Sequence, residues 1–185
     1  MPAIATEARV VVETVYRAFP GKAGLFKAVV ETAVAGGAER AEVPVERRPA
    51  IAAVIEERDP HRQLELYAAT QPGIHRRAGP LLRALRAAAA LDPELARLWA
   101  ELEAQRLAGV GQFAELLASR AVLRTDLSAE GARDVIWTLC SLAVHDLLVV
   151  ERGWSADRYR EWLARALASE LLATPLRLPG GEGRA

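Results

Sequence analysis

Between residues 12 and 22 the chain carries side chains whose types and spacing suit contact with nucleic acid. Apolar or aromatic residues recur at i, i+3, i+4 and i+7, which predicts one buried face of a short helix. These residues are Val12, Val15, Tyr16 and Phe19. The opposite face carries Glu13, Thr14 and Arg17. Threonine can contact a base edge or a thymine methyl group, and arginine suits guanine or a phosphate.

The next helix is predicted to begin near Lys22, where the lysine and the free N–H groups of a first helical turn can hold a phosphate. A short helix with a polar outer face, after a tight turn, is typical of helices that read the major groove of double-stranded DNA. The candidate DNA-contacting residues are Val12, Glu13, Thr14, Tyr16, Arg17 and Lys22.

Catalytic, metal and cofactor sites have no comparable support. The three histidines, His61, His75 and His145, lie far apart and lack partners at the spacing of a zinc motif. Cys140 and His145 are five residues apart and would point to different sides of one helix, which favours a core cysteine over a catalytic pair. Neither a Gly-rich phosphate loop nor a nucleophile elbow occurs. We therefore expect no enzyme activity, no metal and no cofactor.

Residues 4–31 also carry a specific pattern of small, apolar and aromatic residues. Its members are Ile4, Ala5, Ala8, Val10, Thr14, Val15, Tyr16, Phe19 and Lys22. In this pattern the segment resembles the helix-turn-helix of the TetR family of transcriptional regulators. The resemblance implies an all-α fold with an N-terminal helix-turn-helix and a C-terminal helical domain for effector binding and dimerisation. It further implies a homodimer that represses from a palindromic operator and is released by a small-molecule effector.

Three departures from the family pattern bear on DNA binding. The family has a complete helix before the one near Ile4, and here the chain begins at Met1, so we expect the first helix to be missing through a misassigned start codon or a truncated gene. Arg9 occupies the position of the turn glycine, which predicts about 1 kcal/mol of strain. Val11 occupies that of the capping serine, a further loss of about 1 kcal/mol. The alternative function is a dimeric helical small-molecule-binding protein that has lost DNA binding.

Composition and charge are those of an all-α protein with balanced charge. Ala, Leu, Arg and Glu dominate, and all four are good helix formers. Lys plus Arg and Asp plus Glu both number 24, so any DNA-binding surface must be local. The one cysteine excludes an intramolecular disulfide, and neither a leader nor a membrane span is evident. We expect a cytoplasmic protein with no membrane partner.

Glycines, prolines and capping residues divide the chain into three parts. They are a partial helix-turn-helix domain at 1–38, a helical effector-binding and dimerisation domain at 39–174, and a disordered tail at 175–185. Residues 39–49 are predicted to form a linker or a loosely held turn. Asp59, Asp92, Ser128 and Ser155 predict helix starts, the first two because each precedes a proline. Pro72 and Pro80, beside glycines, predict that residues 60–90 form two or three helical pieces.

The C-terminal part also predicts a dimer interface and an effector pocket. Residues 135–150 are apolar on nearly all sides, so this helix needs cover from its own domain and from a partner. Together with residues 156–172 it would form a four-helix interface between two copies. Large aromatic side chains on the central helices suit an apolar or aromatic effector, although core packing explains each of them as well. The candidate pocket residues are Tyr67, Trp99, Phe113 and Trp137.

Overall fold

The computed structural model describes residues 1–173, and the tail predicted at 175–185 lies outside them. The described residues form helices and no β-strand, which confirms the all-α fold class; an isolated bridge joins Leu123 and Leu172. The helices are α1 (Pro2–Glu7), α2 (Val12–Ala18), α3 (Gly21–Ala35), α4 (Ala38–Ala41), a 3-10 turn (Val45–Arg47), α5 (Pro49–Glu56), α6 (Pro60–Ala89), α7 (Pro93–Ser119), α8 (Ala129–Leu139), α9 (Leu142–His145), a π-helix (Asp146–Glu151) and α10 (Ala156–Leu171).

Four helices begin at the side-chain caps predicted from the sequence. Asp59 Oδ1 accepts a hydrogen bond from the backbone N–H three residues on, at 2.9 Å, and Asp92 Oδ1 from the N–H two residues on, at 2.8 Å. Ser128 Oγ and Ser155 Oγ each accept from the N–H three residues on, at 3.1 and 3.2 Å. A helix leaves its first N–H groups without backbone partners, and these oxygens satisfy them. The starts of α6, α7, α8 and α10 are thereby confirmed.

Helix α6 is continuous across both of its prolines, so the prediction of two or three pieces at residues 60–90 is wrong. Pro72 and Pro80 lack the N–H that would bond the carbonyl four residues earlier, at a cost of about 3 kcal/mol each. Burial of one face offsets this cost, since α6 inserts side chains such as Leu64 and Leu85 almost completely into the interior. Packing here overrides the local breaking signal.

The predicted linker at residues 39–49 holds α4, the 3-10 turn and the start of α5. Pro49 occupies the first turn of α5, where its missing N–H is not needed. Arg120, directly after α7, closes the other end of α5 by donating from Nη1 to the Glu57 carbonyl at 2.6 Å and from Nη2 to the Ile55 carbonyl at 2.5 Å. This stretch is therefore largely folded into helical turns.

The single helix predicted over residues 135–150 is wrong, because the chain starts a new helix at Ser141. The backbone of Ser141 is extended (φ −72°, ψ 153°), and its Oγ accepts a hydrogen bond from Val144 N at 3.2 Å. Serine favours such a position because its side chain replaces the backbone partner that a continuing helix would supply. Helix α8 consequently ends at Leu139, and α9 passes directly into the π-helix.

The described residues form two compact units. Unit 1 comprises Met1–Val45 and Gly73–Ala104, and unit 2 comprises Glu46–Pro72 and the described residues from Gln105 onward. Helices α6 and α7 each contribute residues to both units. The domain boundary drawn from the sequence, between residues 38 and 39, remains a prediction.

Helix α10 lies at the centre of the core of unit 2. Every fourth residue along one face is fully buried, namely Tyr159, Leu163, Leu167 and Leu171. These side chains belong to one cluster with Leu117 of α7 and Ile136 of α8. Complete burial of a large apolar side chain contributes about 1.5–3 kcal/mol. Since Leu167 has no exposed surface in its own chain, it is a core residue and not available to a partner.

Candidate nucleic-acid interface

The first three helices share a small apolar core. Met1, Ala5 and Val15 are buried together, and Val12, Phe19 and Leu25 pack against them. The predicted inner stripe of α2 is thus confirmed for its valines and Phe19. It is wrong for Tyr16, which is 55% exposed, because a core this small covers only one layer of side chains beneath α2. Tyr16 therefore lies on the outer surface.

The turn between α1 and α2 has the geometry that a glycine usually provides. Arg9 has φ +55°, the left-handed conformation that the sequence comparison with a turn glycine predicts. Arg9 N–H donates to the Thr6 carbonyl at 3.1 Å, and Val10 N–H to the Ala5 carbonyl at 3.0 Å. These two bonds close the C-terminal end of α1 as a Schellman motif. An arginine holds this turn in a backbone conformation that strains side chains bearing a Cβ.

We predict that Arg9→Gly stabilises unit 1 by about 0.5–1 kcal/mol, because relief of the left-handed strain exceeds the added entropy of glycine in the unfolded chain. Hydrogen exchange of the α2 amides measures this change. Ala121→Gly is the matched variant, since Ala121 also has a positive φ, +53°, but lies in unit 2. Slower exchange near each substituted turn is expected. Faster exchange of the α2 amides in Arg9→Gly than in the unmodified chain would contradict the proposed backbone strain at Arg9.

The start of α2 has no side-chain cap, as Val11 predicts. Val11 has the extended backbone of an N-cap residue (φ −74°, ψ 151°), but its side chain offers no acceptor. The Thr14 N–H bonds the Val11 carbonyl at 3.0 Å. The first turn of α2 thus keeps N–H groups without a side-chain acceptor, next to the exposed outer face.

The structure brings the predicted DNA-contacting residues onto one short stretch of surface. All of them except half-buried Val12 are exposed, and they occupy α2 and the first turn of α3. The exposed members are Glu13, Thr14, Tyr16, Arg17 and Lys22. Within residues 1–173, the side chains of these five form no hydrogen bond or ion pair. Their polar groups are available to an external partner.

Helix α3 carries an ion pair that the local sequence pattern does not reveal. Lys27 Nζ contacts Glu101 of α7 and lies 3.8 Å from Glu31 one turn further along α3. The hydrogen bond to Glu101, and next to it the negative charges of both carboxylates, raise the pKa of Lys27 above its ordinary value against the opposing effect of desolvation. Lys27 is therefore charged throughout the physiological range and fixes the middle of α3.

The candidate effector residues do not all lie in one place. Tyr67 and Phe113 stack with ring centroids 4.3 Å apart, and both belong to the core cluster of unit 2 together with Trp137. Trp99 lies in unit 1 and is not part of that cluster. Arg106 packs over the Trp137 ring at 4.5 Å and donates from Nη1 to the Trp137 carbonyl at 2.9 Å. Three of the four predicted residues therefore belong to the same core cluster.

Two features of this aromatic core go beyond ordinary packing. The Trp137 Nε1–H is buried and has no hydrogen-bond partner among the described residues. A buried donor without an acceptor costs about 1–3 kcal/mol. Burial also raises the pKa of Tyr67 well above its ordinary value and raises the pKa of the Cys140 thiol to about 12. The positive charge of Arg106 opposes both shifts but is the smaller effect. The thiol is therefore protonated and a poor nucleophile.

Two open clefts are lined by other residues. One, of about 400 Å³, lies between α6 and α10, and the other, of about 320 Å³, lies beside the end of α10. The first is lined by Arg62, Glu65, Leu66, Ala69, Arg160, Glu161, Ala164 and Arg165. The second is lined by Arg124, Thr125, Asp126, Ser169, Leu172 and Ala173. Neither cleft includes a predicted effector residue.

Other classes of site have little support in residues 1–173. No group of three or more potential metal-ligating side chains occurs there. His145 is buried, with Nδ1 3.2 Å from Asp146 Oδ1 and its ring edge-to-face with Tyr159 at 5.2 Å. In the same part of the chain, no helix has both the length and the apolar character needed to cross a membrane.

Comparison with known proteins finds a similarity that coincides with the helix-turn-helix. Residues 1–29 match the family model described as bacterial regulatory proteins, tetR family. This range contains α1, α2 and the first half of α3. No curated protein and no solved structure matches the chain.

Proposed function

We propose that the chain is a transcriptional repressor of the TetR type, released from its operator by a small molecule, and the match of residues 1–29 to the tetR family model supports this proposal. As a homodimer it would place two copies of α2 about one DNA turn apart, on a palindromic site. The observation that carries the proposal is the group of exposed, unpaired polar side chains on α2 and at the start of α3.

Four of these side chains have a role in the proposed complex. Thr14 and Arg17 lie on the same helix three residues apart and would face base edges. Tyr16 and Lys22 would contact phosphates, Lys22 with help from the N-terminal end of α3. Val12 supports the helix from its inner face. Base contacts would supply sequence specificity, and phosphate contacts would supply affinity.

The experiment that tests the proposal is selection of duplexes from a random library with the purified chain. We expect the retained duplexes to share an inverted repeat with half-sites about 10 base pairs apart. Recovery of unrelated sequences, with no shared half-site at low salt, would contradict sequence-specific binding.

We further propose that the effector binds next to Tyr67, Phe113 and Trp137. The unpaired Trp137 Nε1–H supports this location, because an acceptor on the effector would remove the cost of that buried donor. The aromatic rings favour an effector that is itself aromatic. Helices α6 and α7 carry residues of both units, so they are the elements through which such binding would reach the DNA-contacting residues.

We predict that Trp137→Phe strongly weakens the release of operator DNA by an effector. A panel of small aromatic carbonyl compounds would be screened for release of fluorescent operator DNA. For an active compound the variant should respond about 5- to 150-fold more weakly, because it keeps a ring but loses the donor. Trp99→Phe is the matched variant in unit 1 and should respond as the unmodified chain does. An unchanged response of Trp137→Phe would contradict the proposed site.

The proposed homodimer rests on apolar side chains that the chain leaves uncovered. Leu148 and Val149 of the π-helix pack against the core of unit 2. Leu147 and Val150 point outward and are 54% and 61% exposed. A second copy that packs against this face would bury them. Leu167, which the sequence assigned to the same interface, lies in the core and takes no part.

The alternative, a helical small-molecule-binding protein without DNA binding, is favoured by one observation. Ile4, Val10 and Val11 of the helix-turn-helix are exposed, so the described residues leave apolar side chains of this region uncovered. Both functions share the effector site. They differ in whether α2 contacts DNA, which hydrogen exchange of α2 with and without a duplex decides.

A further inference from the structure

The C-terminal end of α3 is held by one arginine of α6. Arg77 Nε donates to the Ala33 carbonyl at 2.8 Å, and Arg77 Nη2 donates to the Val34 carbonyl at 3.3 Å. The last carbonyls of a helix have no backbone partner within it, and a cation there also interacts favourably with the helix dipole. The Thr32 carbonyl is already satisfied by Gly36 N–H and Gly37 N–H, and the guanidinium satisfies the next two carbonyls.

Two glycines make room for this guanidinium. Gly36 ends α3 with φ +88°, and a Cβ there would lie 3.4 Å from Arg77 Cζ. Gly73, one turn before Arg77 on α6, leaves a space in which a Cβ would lie only 3.1 Å from Arg77 Nη1. The guanidinium therefore fits closely between the end of α3 and the surface of α6.

Helix α3 has a second polar anchor at its middle. Lys27 pairs with Glu101 of α7, and all residues of both anchors lie in unit 1. One anchor alone leaves a helix free to pivot about it, whereas two anchors on different helices fix its direction. Helix α3 follows α2 after a short turn, and Leu25 of α3 packs against the core that contains Val15 of α2. The direction of α3 consequently sets the direction of α2.

We propose that Arg77 is a positioning residue for DNA recognition: it fixes α3, and through α3 the base-reading face of α2, without touching DNA. This inference rests on the proposed DNA-binding function. It separates Arg77 from the contact residues, because loss of its two hydrogen bonds should reduce recognition of the correct sequence and leave charge-driven binding to any duplex intact.

The test compares Arg77→Lys with the unmodified chain on a duplex selected from a random library and on an unrelated duplex. Lysine keeps the positive charge but cannot form the two-pronged contact. We expect operator affinity to fall about tenfold, as loss of a charge-assisted hydrogen bond implies. Affinity for the unrelated duplex and the slope of log K against log salt should stay unchanged. Stoichiometric titration counts the active molecules, so partial unfolding does not mimic the effect.

Arg76→Lys is the matched control, because Arg76 is the exposed neighbour on α6 and no contact of its side chain is found in residues 1–173. It should bind both duplexes as the unmodified chain does. Equal operator affinity of Arg77→Lys and the unmodified chain, or an equal loss on both duplexes, would overturn the inference while leaving the proposed function standing. An unmodified chain that binds no duplex would overturn both.

Discussion

Replacement of Arg17 by alanine is expected to weaken binding to the selected operator by about 1–3 kcal/mol and to leave binding to unrelated duplexes nearly unchanged. The reason is that Arg17 lies exposed on the outer face of α2 and has no partner within residues 1–173 that would compete with a guanine. Lys22→Ala should behave differently. It should weaken binding to all duplexes alike and reduce the slope of log K against log salt by about 0.9 for each bound subunit, the value for one phosphate contact. Fluorescence anisotropy at several salt concentrations measures both quantities.

Arg165→Ala is the matched control for these two variants. Arg165 is exposed on α10 in unit 2, and its loss changes the net charge by the same amount. We expect it to bind operator and unrelated DNA as the unmodified chain does. If Arg17→Ala kept full operator affinity, α2 would not be the reading helix. Equal losses for all three variants would indicate binding through net charge alone.

The second large effect is expected from Leu147→Arg. In the proposed homodimer Leu147 is buried against the partner, so an arginine there would place an unpaired charge in an apolar contact at a cost of about 3–5 kcal/mol. The variant should be a monomer in light scattering at micromolar concentration, where the unmodified chain is expected to be a dimer. Its operator affinity should also fall, because one α2 reads only one half-site.

Leu91→Arg separates this effect from a general response to a new surface charge. Leu91 is 90% exposed in the turn between α6 and α7. The same substitution there should leave both the mass in solution and the operator affinity unchanged. An unmodified chain that scatters as a monomer would contradict the dimer. Leu167→Arg is not a useful test, because Leu167 is fully buried and its replacement would disrupt the fold.

Features that depend on neighbouring residues could be predicted from the sequence. The caps Asp59, Asp92, Ser128 and Ser155 act within one helical turn, and all four begin helices. The strained turn at Arg9 also follows from local sequence, because its backbone is fixed by two hydrogen bonds within α1 and the turn itself. Local chemistry of this kind is independent of how distant helices pack.

Features set by packing between distant residues could not be predicted in this way. Pro72 and Pro80 are breaking signals, yet α6 runs through both because its buried face offsets the lost hydrogen bonds. The anchors of α3 join residues that are 43 to 74 positions apart, so no local spacing reveals them. The sequence likewise identified Tyr67, Phe113 and Trp137 as large aromatic residues of the central helices. It could not show that Trp99 lies outside their cluster, because that depends on how distant helices pack.

Hydrogen exchange of the chain with and without its selected duplex tests the central claim most directly. The account predicts that DNA slows exchange in α2 and in the first turn of α3, and that the helices α8 and α10 are unaffected. An unrelated duplex should give weaker protection in the same places. Two results would contradict this account: no duplex slows exchange in α2, or a duplex slows exchange only within unit 2. In either case the chain would not read DNA through α2, and a ligand-binding protein without DNA binding would be the better description.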